Sequence, residues 1–343
     1  MHKELICPEH QKLALVAYEE PKKPDTGSVR IRNEFGAEKH GTMMSFYKGH
    51  GNKRGAWDRE KKMHISDGFA WPYPIKLGNM NVGVVEEAGQ GCTRYRKGDR
   101  VFYFGNFRPM STVSEALCWS LPKQANWKAA VCLDPLSYAL CALRDGNIRV
   151  GDAVAVFGLG AIGLMAVQAA KLTGAYPIIA IDPLANRRAV AEATGADDTI
   201  DPVGTDVGAM LREKTDWRGV DVVIEYSGAM EAMQASLRGV AFGGTIVAGA
   251  FPGPMKAGLD LGAEAHMNRP NLVFSRTESE PNRDYPRWNN ERIRNTCHHL
   301  IVEGLINAEQ VVSPVVAYDE NIVSEYLKIA SEPQSNVKLG VKY

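Results

Sequence analysis

One stretch constrains the fold of this chain more than any other. Five apolar residues, Ala153–Phe157 (AVAVF), run directly into Gly158-Leu159-Gly160-Ala161-Ile162-Gly163, and Ala161–Leu172 then carries helical apolar spacing. A buried strand, a glycine turn and a helix, in that order, form the first unit of a doubly wound parallel sheet. A lone G-x-G-x-x-G says little, because glycine is common; here the flanking elements supply the context. Gly158 permits the tight turn, Gly160 lets backbone approach a pyrophosphate, and Gly163 lets helix and strand pack closely. The helix N-terminus offers free N–H groups and partial positive charge to phosphates. An acid, Asp182, ends the next strand and is placed to accept hydrogen bonds from an adenosine ribose. A 2′-phosphate there would face the carboxylate, so the expected cofactor is NAD. Arg187 and Arg188, shortly after Asp182, keep NADP open.

The same texture continues. Pro177–Ile181, Val220–Glu225, Gly244–Ala248 and Leu272–Ser275 read as further strands, with Leu184–Thr194 as a helix between the first two. Such alternation implies βαβ units. Ser227-Gly228, Gly249, Phe251 and Ser275 fall at the C-terminal ends of these strands, where ligands sit in open α/β sheets. They join the expected cofactor set, although ordinary turn chemistry explains any one of them as well.

Before residue 146 the pattern differs. Short β-branched runs, Ser28–Arg32, Val82–Glu87 and Arg100–Tyr103, are broken by Gly, Pro and charge, as in an antiparallel, barrel-like domain. Residues 49–69 are polar and without period, and read as a surface loop or lid. The chain end returns to helix and strand, with Asn336–Val341 as a final strand. The expected division is therefore 1–146 with 306–343 against 147–305, in an α/β protein. Forty basic and forty acidic residues cancel, which gives no electrostatic reason to expect nucleic acid or an anionic membrane as partner. The N-terminus lacks the apolar run of a signal peptide, and the longest apolar stretch is too short and glycine-rich for a membrane span. A cytoplasmic protein acting on a small molecule is the expectation. Six scattered cysteines without a C-x-x-C pair suit neither a disulfide framework nor a structural zinc knot.

GDRV at Gly98–Val101, SEALCWSLP at Ser114–Pro122, LDPLSYAL at Leu133–Leu140 and IRVGDAVAVFGLGAIG from Ile148 stand in the order found in the medium-chain dehydrogenase/reductase superfamily, which the chain resembles over nearly its whole length. The resemblance implies a GroES-like catalytic domain, a Rossmann domain, oxidoreduction of an alcohol or polyol, and a homodimer or homotetramer. GAEKHGTMMSFYKG at Gly36–Gly49, NVGVVEEAG at Asn81–Gly89 and the segment Arg269–Arg294 resemble a zinc-free branch typified by bacteriochlorophyllide hydroxyethyl dehydrogenase.

Departures from the zinc-dependent pattern are informative. Its first ligand position holds His40, its second Asn79 and its third Asp134, while the bracing acids are replaced by Met43 and Met80. An amide oxygen is a poor zinc ligand and a thioether cannot orient an imidazole, so no metal is expected. A residual site of His40 and Asp134 stays open. By the resemblance, Thr42 holds the hydroxyl that handles the substrate proton and Ser45 stands where a relay His is common. Lys39 and His40 compete as acid/base; in a strand only one of them would point inward. Asn79 and Asp134 would bind or orient substrate. Two other readings remain: reduction of an activated C=C bond, and dinucleotide binding without turnover.

Overall fold

The computed structural model describes residues 2–49, 55–65, 73–251, 258–277, 283–332, 334 and 336–343. In it the apolar run after Asp152 forms the strand Val154–Phe157, buried throughout. It lies inside a six-stranded, all-parallel sheet. The order is Asp198–Ile200, Ile178–Ile181, Val154–Phe157, Val220–Glu225, Val240–Ala248, Asn271–Phe274. In chain order this is 3-2-1-4-5-6, so the direction of winding reverses between Val154–Phe157 and Val220–Glu225. The central strands are continuous apolar runs because helices cover both faces. Ala155, Phe157, Ile179, Ile181, Val223 and Ile246 share one core cluster with Leu211 and Leu237 of the flanking helices. Helix Ala161–Thr173 ends at Gly174 with φ +79, the left-handed cap that glycine adopts without a Cβ penalty.

Contacts divide the chain into two units, Met1–Val131 with Val312–Tyr343, and Cys132–Val311. The sequence had suggested seams at 146/147 and 305/306. Helix Leu133–Asp145 groups with the second unit because it packs on helices Ala161–Thr173 and Asn290–Val302.

The first unit is a mainly antiparallel, barrel-like domain. Its larger sheet runs Cys118–Ser120, Arg100–Asn106, Gly78–Ala88, Ser28–Ala37, Lys338–Lys342, Val312–Ala317, with Met110–Ser114 also on Ser28–Ala37. The pair Val312–Ala317 and Lys338–Lys342 is parallel, with helix Ile322–Ser331 between them in the chain. Strand Ser28–Ala37 shifts register against Gly78–Ala88 at Arg30/Ile31 and at Asn33/Phe35, which bends it. A smaller sheet joins Ala14–Ala17, Lys3–Cys7 and Ile75–Lys76.

Within the expected loop 49–69 lies a short ribbon, Ala56–Asp58 against Met63–Ile65. Its turn is held by the Asp58 carboxylate, which accepts from the N–H groups of Glu60 (2.9 Å) and Lys61 (2.8 Å). Residues 50–54 and 66–69 of that loop lie outside the described residues. The six thiols are free, five of them buried. No helix among the described residues is long and apolar enough to cross a membrane.

Candidate active site

The second unit gathers the residues expected at a cofactor along the C-terminal edge of its sheet. Gly158 leaves its strand with φ +83, and a Cβ there would stand 2.5 Å from the backbone N of Ser227. Both facts demand glycine. Gly163 lies in the first turn of helix Ala161–Thr173, where a Cβ would come within 2.0 Å of the Gly158 carbonyl oxygen. Gly160 differs: a Cβ there meets nothing within 4 Å, and no side chain caps the helix that it precedes. Bare N–H groups beside open space suit a diphosphate. Leu159 buries its side chain, so only its backbone serves the turn.

Asp182 is buried and braces this turn. Its Oδ2 accepts from the N–H of Leu159 at 2.8 Å and its Oδ1 from that of Leu184 at 2.9 Å. A carboxylate has about four lone-pair sites, so two backbone bonds leave capacity for ribose hydroxyls. Arg187 Nη1 stands 3.8 Å from Asp182 Oδ2. Arg188 is engaged elsewhere, donating to the Asp182 carbonyl (2.7 Å) and pairing with Asp201 (3.0 Å).

The remaining expected residues follow the neighbouring strands. The Gly249 N–H donates to the Glu225 carbonyl at 3.0 Å and the Ser275 N–H to the Ala248 carbonyl at 3.1 Å. Gly249 makes room for the Tyr226 ring, whose Cε1 a Cβ would meet at 2.5 Å. Ser275 is buried, whereas Phe251 is largely exposed. These contacts tie the turns after the strands into one rim. Ala161 and Ile162 are partly buried at its helix.

Sequence reasoning passed over Glu225, which ends its strand opposite Phe157. Its Oε1 accepts from the N–H of Ser227 (2.6 Å), the N–H of Gly228 (2.9 Å) and the Ser227 hydroxyl. Burial pushes its carboxyl above the usual glutamate value, against the Ser227 and Gly228 hydrogen bonds. The signal was present: an acid at a strand end, followed by Ser-Gly in a turn. Trp288 is flanked by the Arg144 and Arg292 guanidinium groups, 3.7 and 4.2 Å from its ring centroid.

In the first unit the candidate catalytic residues sit differently than expected. Strand Ser28–Ala37 stops before Lys39, and helix His40–Tyr47 begins with Lys39 as N-cap. The strand-alternation argument for choosing between Lys39 and His40 therefore fails. Successive helical residues diverge by about 100° instead of 180°. Met44 is buried with Leu5, Leu77 and Tyr326, and Met43 and Tyr47 pack against the same core. Thr42 and Ser45, three residues apart and so adjacent on the helix surface, are only partly buried. Lys39 is also partly buried; the His40 side chain lies outside the described residues. Asn79 pairs opposite Gly105 and is partly buried. Asp134 is buried in the first turn of helix Leu133–Asp145, where its carbonyl accepts from the Ser137 hydroxyl at 2.7 Å, and it belongs to the second unit.

At the motif-matched positions an amide stands at Asn79. Where acids would brace the ligands, Met80 is fully buried and Met43 packs on the core. Among the described residues no three His, Cys, Asp or Glu side chains gather as ligands would.

Known proteins agree with this architecture. A family profile described as zinc-binding dehydrogenase matches residues 161–287, a span containing none of positions 40, 79 or 134. The chain is 39% identical over 351 residues to a D-guloside 3-dehydrogenase of Escherichia coli K12, covering 99% of this chain and 100% of that protein. It is 27% identical over 298 residues to (R,R)-butanediol dehydrogenase of Bacillus subtilis 168, covering 78% and 81%. The crystal structure of 2R,3R-butanediol dehydrogenase from Bacillus subtilis superposes with a TM-score of 0.80 at 23% identity, covering all of both chains. The chain belongs to the medium-chain dehydrogenase/reductase superfamily. It is a dehydrogenase of that type.

Proposed function

We propose that this protein is a zinc-independent, NAD-dependent dehydrogenase that oxidises a secondary ring hydroxyl of a glycoside or related sugar to the ketone, reversibly. The observation that carries the substrate class is the end-to-end likeness to a D-guloside 3-dehydrogenase. Support for metal independence comes from helix His40–Tyr47, which turns Met43 and Met44 into the core and leaves Thr42 and Ser45 partly exposed.

The turn Gly158–Gly163 would hold the diphosphate and Asp182 the adenosine ribose, with Ser227, Gly228, Gly249, Phe251 and Ser275 along the rim. When bound, the nicotinamide supplies the acceptor for a hydride. The chain's own residues handle the rest. The Thr42 hydroxyl hydrogen-bonds the reacting alcohol, and Asn79 orients it. As the C–H electron pair leaves the carbon, the O–H proton passes through Thr42 to Lys39 or His40, and the C–O bond becomes C=O. Ser45 extends the proton path outward. Positioned proton transfer of this kind is typically worth about 10²–10⁴-fold.

The test is a panel of glycosides, free sugars and polyols offered to the protein with NAD or NADP, with the product identified by mass spectrometry. Loss of two hydrogens from a glycoside with NAD supports the reading. Turnover restricted to enones with a reduced cofactor, or tight NADH binding without oxidation of any alcohol, replaces it by a C=C reductase or a binding protein.

A further inference from the structure

Helix His40–Tyr47 carries the proposed proton-handling residues, yet it has no side-chain cap at its N-terminus. Its start must be fixed by something else, and the residue before the cap is gripped from three sides. The Glu38 N–H donates to the Leu339 carbonyl at 3.0 Å. Its own carbonyl accepts from the Lys338 ammonium, and its Oε1 accepts from the Tyr326 hydroxyl. Glu38 and Tyr326 are 0% exposed and Lys338 1%. Three ionisable side chains so completely withdrawn from water are costly, and they persist where acid, base and hydrogen bonds balance. Burial, and then the Glu38 carboxylate, push the Tyr326 phenol well above its ordinary value, so it stays a neutral donor.

The partners come from helix Ile322–Ser331 and strand Lys338–Lys342, about three hundred residues along the chain. The packing of Met44 on Leu5, Leu77 and Tyr326 fixes the middle of the helix. Without a grip on Glu38, however, the first turn, with Lys39, His40 and Thr42, would be free to pivot about that anchor. We infer that Glu38, Tyr326 and Lys338 are positioning residues that fix where the Lys39–Ser45 segment presents its proton-handling groups. This rests on the reading that the segment does the chemistry, and it goes beyond it by naming what sets the geometry.

Tyr326→Phe deletes one hydroxyl and little volume, leaving a buried carboxylate oxygen without its donor. Two readouts are taken on the full chain. Amide hydrogen exchange is followed in peptides spanning Lys39–Ser45 and in the strands Ser28–Ala37 and Gly78–Ala88. Turnover and the NADH dissociation constant are measured in parallel. The expected result is about 10-fold faster exchange confined to Lys39–Ser45, with kcat about 10-fold lower and NADH affinity unchanged. Exchange raised uniformly across the unit, or unaltered in Lys39–Ser45, overturns the inference as a purely structural role would. The exchange arm needs no substrate, so failure of the proposed activity is distinguishable from failure of this inference. If Tyr326→Phe does not fold, Lys338→Met, which removes the ammonium that donates to the Glu38 carbonyl, carries the same comparison. Faster exchange confined to Lys39–Ser45 is then expected, and unaltered exchange there counts against the inference.

Discussion

Two glycines of one turn should respond oppositely to the same added methyl group. At Gly163 a Cβ would stand 2.0 Å from the Gly158 carbonyl oxygen, where ordinary contact begins at 3.4 Å, so strand and helix must part by more than an ångström. Overpacking of that kind costs about 1–3 kcal/mol. For a unit of this size each kcal/mol lowers Tm by about 2–4 °C, so Gly163→Ala should unfold about 2–12 °C earlier. Gly160 has φ −70 and ψ −173, open to any residue, and a Cβ there meets nothing within 4 Å. Gly160→Ala should therefore change stability by less than about 1 kcal/mol. Its methyl would instead occupy the space a pyrophosphate needs, weakening NADH binding at least about 10-fold, or about 1.4 kcal/mol. Thermal unfolding by circular dichroism and a fluorescence titration with NADH separate the two effects. Wild-type NADH affinity in Gly160→Ala would refute the placement of the diphosphate. An equal loss of stability in both variants would refute the reading of the turn.

Thr42→Val should lower turnover by the order of 10²-fold while NADH affinity holds, as steady-state kinetics beside a binding titration would show. Asp182→Ala should weaken NAD more than NADP and also lower stability, since the backbone N–H groups of Leu159 and Leu184 lose their acceptor; unchanged preference would move the ribose contact elsewhere. Burial raises the Glu225 carboxyl above its ordinary 4.5, so ionising it opposes folding. The stability it contributes is present in acid and falls as pH climbs from that ordinary value through the folded one. Glu225→Gln should flatten that fall in a urea-denaturation series across pH; an unchanged slope contradicts it. Leu272 and Phe274 on the edge strand Asn271–Phe274 are 49% and 77% exposed, and such an edge is a pairing surface. Light scattering should give a dimer or tetramer, and Phe274→Asp should lower the mass toward the 37.6 kDa of one chain.

The second unit was legible because its signals are local. Buried runs, glycine turns and helical spacing each lie within a few residues, and the five expected strands fell within a residue or so of their bounds apart from Gly244–Ala248, which begins at Val240; the short edge strand Asp198–Ile200 was not expected. Helix His40–Tyr47 was not legible. It spans eight residues, contains Gly41 and lacks a capping side chain, so nothing distinguishes it from a strand continuing past Ala37. The ribbon at Ala56–Ile65 has no Asn-Gly or Asp-Gly signature, and the Asp58 side chain makes its turn instead. Gly146 and the charges after it look like a boundary in the sequence, whereas the packing of helix Leu133–Asp145 groups it with Cys132–Val311. Glu38, Tyr326 and Lys338 escape any local pattern, since their adjacency exists only in the folded unit.

The most direct test of the account is turnover after exhaustive chelation, with metal content measured on the same sample. Protein carrying well under one zinc per chain should oxidise its glycoside substrate with NAD at the untreated rate. Activity that disappears on chelation and returns with stoichiometric zinc would contradict the metal-free mechanism.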